Sequence, residues 1–254
     1  MHGSAHDPGR LPRHRKADSM TAMPRDYDSD PGRFLASTDV PTGDVHPAVA
    51  ARLAAAGAQL VLDVGGGSGK LARLLAGLSI RCLLIDLSPT MLALAPRPAA
   101  QGDAARLPVA DACVDAVASL YLLYHFDDPL VPIAEARRVL CPGGLFVACA
   151  PNRDSNPELA RVLPAWGSSS PFDGEDAPAI VASVFSDLGD VVEVDRWDAP
   201  LLTLSAAGEA AAFLRVHGVA SAAAQQAAAR LDLPLTLTMR GCFVYATKAA
   251  EPLP

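Results

Sequence analysis

The 254-residue chain is half apolar, long enough for a core without disulfide or metal staples, and low in aromatic residues, so leucine, valine and alanine must fill that core. Its formal net charge of −7 disfavours broad electrostatic attraction to nucleic acid or to an anionic membrane. No run of 18 apolar residues or apolar signal-peptide core is found, and the five cysteines form no C-x-x-C pair, which reads as buried free thiols in a cytoplasmic protein.

Residues 1–24 are rich in His, Arg, Pro and Asp without periodicity and read as a flexible tail, with Met20 and Met23 as alternative starts. Residues 25–44 are a turn-rich lead-in. "VHPAVAARLAAAG" follows as a helix stopped by Gly57. "QLVLDV" then reads as a buried strand, "SGKLARLLAGL" as a helix and "RCLLIDL" as a second strand. Ser88 and Pro89 open the next helix, one as its cap and the other in its first turn. "AAQGDA" is a weak third strand, "CVDAVASL" a fourth and "PLVPIAEARRVL" the helix after it. Pro142-Gly143-Gly144 turns the chain into a fifth strand, "LFVACAP".

From Pro151 to Pro178 the pattern breaks up, and the segment reads as an insertion or lid containing Trp166 and Phe172. "APAIVASVFSDLG" resumes as a helix and "DVVEVDRWDAP" as a strand. An alanine-rich helical stretch covers about 206–231, and "LTLTMRGCFVYATK" closes the chain as an antiparallel last strand. The expected architecture is α/β: a Rossmann-like, seven-stranded, mostly parallel sheet with helices on both faces.

"VLDVGGGSGKLARLL" admits three ligand readings. A phosphate loop for ATP would need glycine where Val64 stands and a hydroxyl where Leu71 stands. The dinucleotide fingerprint fits only through Gly67, Gly69 and Ala72, and leaves Asp63 and Gly65 without a role. A third reading uses Asp63, Gly65, Gly67 and Gly69 together. Here glycines let the backbone approach a ligand at the strand's carboxyl end, and the carboxylate suits a cationic or amine-bearing group.

That pattern resembles the first motif of class I S-adenosylmethionine-dependent methyltransferases. The resemblance runs from about Val45 to Pro151 and is closest to the ubiquinone/menaquinone-biosynthesis-like branch (methyltransferase type 11). It implies S-adenosyl-L-methionine as cofactor, with the loop facing its amino acid part. Asp86 becomes the ribose ligand, Leu87 and Met91 pack near the adenosine, Asp103 meets the adenine amino group, and Ala104 offers its amide to the ring. Leu120 and "LYLLYHF" lie where such enzymes place residues beside the transferred methyl group. His125, with Tyr124 and the lead-in residue Tyr27, is then the candidate catalytic set, and no metal is implied.

Each assignment has an ordinary structural competitor: Asp63 as a loop cap, Asp86 as a helix cap, Asp103 in a simple turn, and Tyr121, Tyr124 and His125 as core or rim residues. The expected organisation is a tail at 1–24 and one methyltransferase domain at 25–254. Residues 45–151 form its cofactor half, and 25–44 and 152–178 are acceptor-site lids. The acceptor is expected to be a small organic molecule, with no nucleic-acid or membrane partner, and the alanine-rich helices are compatible with a homodimer. The competing functions are a non-catalytic module that binds the cofactor and an NAD(P)-dependent oxidoreductase. The latter is weakened because none of Tyr121, Tyr124 and Tyr245 has a lysine four residues on.

Overall fold

The computed structural model describes residues 45–250 except 165, 168 and 169. The tail, the lead-in and Tyr27 lie outside the described residues.

Seven strands form one sheet in the order β3-β2-β1-β4-β5-β7-β6. They are β1 (Leu60–Val64), β2 (Arg81–Asp86), β3 (Ala99–Gln101), β4 (Val114–Leu120), β5 (Leu140–Pro151), β6 (Val191–Leu204) and β7 (Leu235–Thr247). Neighbours among β1–β5 pair in parallel, and β7 runs antiparallel to both β5 and β6. Chain order reverses between β1 and β4, so a crevice opens at their carboxyl ends, where open α/β sheets take their ligands.

The apolar runs of β1, β4 and β5 are buried on both faces. Helices α1 (His46–Ala55) and α2 (Lys70–Gly77) place Val49, Leu53, Leu71 and Leu75 against Ala116, Ala118 and Val147. A third helix, α3 (Pro89–Leu94), follows β2. On the opposite face α4 (Leu130–Val139) and α5 (Ala177–Val184) bring Ile133, Ala136, Val139 and Val181 onto Leu62, Val117, Phe146 and Ala148. Ser88 caps α3 as expected, its hydroxyl accepting the Met91 N–H at 3.1 Å.

Four details depart from the sequence reading. The Pro142-Gly143-Gly144 turn lies inside β5, because Leu140 already pairs with Val114 before the ladder shifts register. Helix α5 ends at Val184. The alanine-rich stretch is two helices, α6 (Ala207–Val216) and α7 (Ser221–Ala228), separated where Gly218 takes φ 93°. Cys113 is exposed, while Cys149 and Cys242 are buried.

The last two strands are longer than the sheet they join. Trp197 of β6 and Pro151 of β5 both pair with Gly241 of β7, so β6 and the amino-terminal part of β7 continue past the end of β5. This overhang, with α6, α7 and a 3-10 helix at Pro157–Arg161, encloses a second core of Leu159, Leu202, Leu204, Phe213, Leu214 and Leu237. Trp166 belongs to it: its indole N–H donates to the Ser155 carbonyl at 2.9 Å, and its ring lies 6.4 Å from that of Phe213. Phe172 is fully buried in the main core. Neither aromatic is an open lid residue, because each is consumed by packing.

The two cores give a testable separation. Phe213→Ala should cost roughly 3–5 kcal/mol locally. In urea, the fluorescence of Trp166 should report a transition at lower denaturant than the far-UV signal of the main sheet. Coincident shifts of both signals would show a single cooperative unit.

Candidate functional site

The glycine loop leaves the carboxyl end of β1 and enters α2 through Gly69, which has φ +84°. Its glycines are required by the protein's own packing. A Cβ on Gly65 would lie 2.7 Å from Leu122 Cδ1, one on Gly66 2.5 Å from Asp63 Oδ2, and one on Gly69 2.4 Å from Pro96 Cδ. Packing thus gives these three positions a requirement for glycine in addition to the close backbone approach expected from the sequence. Three of the loop's N–H groups are also committed: Gly65 donates to the Ile85 carbonyl at 2.7 Å, Gly67 to Asp86 Oδ2 at 2.8 Å, and Gly69 to the Gly66 carbonyl at 2.9 Å. A phosphate cradle depends on such donors facing the ligand. Lys70 is half-buried and begins α2.

Asp63 lies beneath this loop, 2 % exposed, and its Oδ2 is enclosed without a hydrogen-bond partner. Burial, and then the negative charge of Asp86, push its carboxyl up to about 7. An enclosed acid of this kind is costly unless a cation or donor compensates it. The expectation that it is more than a loop cap therefore rests on a specific atom.

Asp86, at the end of β2, is half-buried and uses both carboxylate oxygens. Oδ2 accepts from Gly67 N and Oδ1 from Ser88 N, each at 2.8 Å. Asp86 is not itself the cap of α3, a role taken by Ser88; it holds the N–H of that capping residue and adds a tie to the glycine loop that local sequence did not reveal. Beside it, Leu87 is 66 % exposed, whereas Met91 is buried under the start of α3.

Beyond β3, the exposed Asp103 accepts the Ala105 N–H at 2.8 Å, the turn chemistry weighed for "GDA", and Ala104 is buried in the main core. Leu120 ends β4, and Tyr121 follows with φ +54°, an uncommon conformation for a bulky residue. A 3-10 helix, Leu123–His125, comes next, with the Tyr124 and His125 rings 4.5 Å apart and both half-buried. The carboxyl ends of β1, β2 and β4 thus bring Asp63, the glycines, Asp86 and the Leu120–His125 turn to one edge. Leu122, which sits on Gly65, was missed: within the run "LYLLYHF" nothing distinguishes it from a core leucine.

Residues 62–148 match the profile of a methyltransferase domain. Over these residues the chain is similar to methyltransferase domains. The chain is 29 % identical over 150 residues to the ubiquinone/menaquinone biosynthesis C-methyltransferase UbiE of Caulobacter vibrioides, covering 50 % of this chain and 60 % of that protein. It is 35 % identical over 120 residues to the demethylmenaquinone methyltransferase of Mycolicibacterium vanbaalenii, covering 43 % and 53 %. The chain therefore spans little more than half the length of these curated relatives. Among solved structures, that of the (4+2)-cyclase SpnF superposes with a TM-score of 0.62 at 18 % identity, covering 88 % of this chain and 94 % of that one. The methyltransferase domain accordingly has the Rossmann-like fold expected for it.

The raised Asp63 carboxyl gives a signed pH dependence. Unfolded, it would ionise near ~3.9. Its contribution to stability is complete below about pH 4 and declines as the pH rises to about 7, because the unfolded chain releases this proton first. Asp63→Asn should remove that decline. Relative to the parent protein its melting temperature should rise progressively across this window, as followed by thermal denaturation. A constant difference between the two proteins would contradict the raised carboxyl.

Proposed function

We propose that this chain is a cytoplasmic S-adenosylmethionine-dependent methyltransferase acting on a small organic molecule. The observation that carries the reading is the enclosed Asp63 side chain, whose Oδ2 has no hydrogen-bond partner, under a loop whose Gly65, Gly67 and Gly69 N–H groups are already used. Such a loop disfavours phosphate and suits a ligand bearing positive charge. Asp86 supports the same reading, since a carboxylate at the end of β2 suits ribose hydroxyls and repels a ribose phosphate. Fold alone would not decide the activity, as a protein named a cyclase shares it.

In this reading Asp63, Gly65, Gly67 and Gly69 hold the amino acid end of the cofactor. Asp86 holds the ribose, Leu87, Met91, Asp103 and Ala104 surround the adenosine, and Leu120 lies beside the methyl group. When bound, S-adenosylmethionine supplies a methyl group activated on a sulfonium. The protein's task is to place the acceptor in line and exclude water. Tyr124 and His125, in the turn after β4, are assigned to the acceptor side in this reading. His125 removes the proton of an oxygen acceptor, and a carbon or amine acceptor needs no such step. Tyr27 is assigned to the same side from the sequence alone. Neither nucleic acid nor a membrane is needed as partner, and a homodimer is compatible with this arrangement.

Calorimetric titration should detect S-adenosylmethionine or S-adenosylhomocysteine and not NAD; binding of NAD alone would refute the proposal. Asp86→Ala should weaken cofactor binding by ~10-fold or more, roughly 1.5–3 kcal/mol. Asp86→Asn should recover part of this, because it retains one acceptor oxygen. A mass-spectrometric screen of small acceptors separates turnover from binding alone. With an oxygen acceptor, His125→Ala should lower kcat by about 10²–10⁴-fold and leave cofactor affinity in place.

A further inference from the structure

The contact between Gly65 and Leu122 joins two parts of the site that the sequence keeps far apart. The Leu122 side chain fills the room that a side chain on residue 65 would occupy, with Cδ1, Cδ2 and Cγ at 2.7, 3.0 and 3.1 Å from that Cβ position. Ordinary carbon contacts are ~3.5–4.0 Å, so Leu122 rests directly on the bare backbone of the loop. Gly65 is held against retreat by its N–H bond to Ile85 O at 2.7 Å.

On its other side Leu122 is continuous with the turn that carries the acceptor-side groups. Its carbonyl accepts the His125 N–H at 3.0 Å, and the next residue, Leu123, is anchored at 1 % exposure. Tyr121, just before it, turns the chain through positive φ and so aims Leu122 back at the loop. Packed side chains transmit small displacements because they have little free volume.

We propose that Leu122 is a positioning residue that couples occupancy of the glycine loop to the placement of Tyr124 and His125. This rests on the cofactor reading given above and adds a consequence to it: a ligand seated on the loop fixes the acceptor-side turn before an acceptor arrives. By linkage, ordering that turn also favours the ligand on the loop.

Hydrogen–deuterium exchange of the full chain, with and without S-adenosylhomocysteine at a concentration saturating each protein, tests this. In the parent protein the ligand should slow exchange both in the loop at 65–69 and in the turn at 123–126, the latter by about tenfold, an ordinary magnitude for coupling between sites. In Leu122→Ala the loop should remain protected while protection of the turn falls below about twofold. Leu122→Met should restore it, a rescue that a general loss of stability would not give. If Leu122→Ala fails to fold, Leu122→Val carries the same comparison with a smaller deletion. Equal protection of the turn in the truncated variants, or protection confined to the loop in the parent, overturns the coupling. Absence of protection in both segments of the parent, with no calorimetric binding, overturns the cofactor reading itself and is distinguishable from those results.

Discussion

The carboxylate of Asp86 is the constraint on which the cofactor edge depends. Its two oxygens take the N–H groups of Gly67 and Ser88, and its backbone carbonyl takes the N–H of Gly102 at 3.0 Å. One residue thereby fixes the glycine loop, the start of α3 and the segment leaving β3. Hydrogen bonds to an ionised acceptor are among the stronger ones available to a protein. The same charge helps to keep Asp63 protonated below neutrality. The site is thus a pair of acids in different surroundings: one half-buried and bonded to two backbone N–H groups, the other enclosed with its Oδ2 unpartnered.

Much of the sheet was legible because its strands announce themselves locally. Apolar runs such as "RCLLIDL" are too short and too uniformly buried for a surface helix, and Ser88-Pro89 specifies a helix start within two residues. The loop motif was legible as a pattern, but its physical cause was not. The need for glycine at 65, 66 and 69 arises from Leu122, Asp63 and Pro96, contacts set by the tertiary fold. Asp86 shows the same division. A ligand role and a capping role were both apparent from its place after a strand, whereas its bond to Gly67 requires the two strand ends to be side by side. The alanine-rich stretch hid its break at Gly218 because helix propensity there is high on both sides.

The second core explains why the carboxyl-terminal half resisted a motif reading. Its strands overhang the sheet and are held by leucines, alanines and Phe213, residue types that specify packing without naming a chemistry. The long β6 is also the sheet's outer strand, where an exposed ladder invites pairing with another chain. Glu193, Asp195, Arg196 and Asp198 place charge along it, and Pro200 removes a donor. These features protect an edge; they do not describe a ligand.

The two halves therefore constrain function differently. In the cofactor half, backbone donors are spent on named acceptors and glycines on named side chains, so a substitution that changes the ligand would first disturb the loop's own hydrogen bonds and packing. In the other half, the core can accept many apolar residues of similar volume without losing its shape. Substitutions are therefore absorbed more readily there than at the glycine loop. The fold shared with a protein named a cyclase fits this division, since chemistry can diverge wherever the scaffold is not using the residues for its own integrity. The turn from Tyr121 to His125 belongs to the first half: Leu123 anchors it in the main core and Leu122 lies against Gly65 of the loop, while Tyr121, Leu122, Tyr124 and His125 are all half-buried.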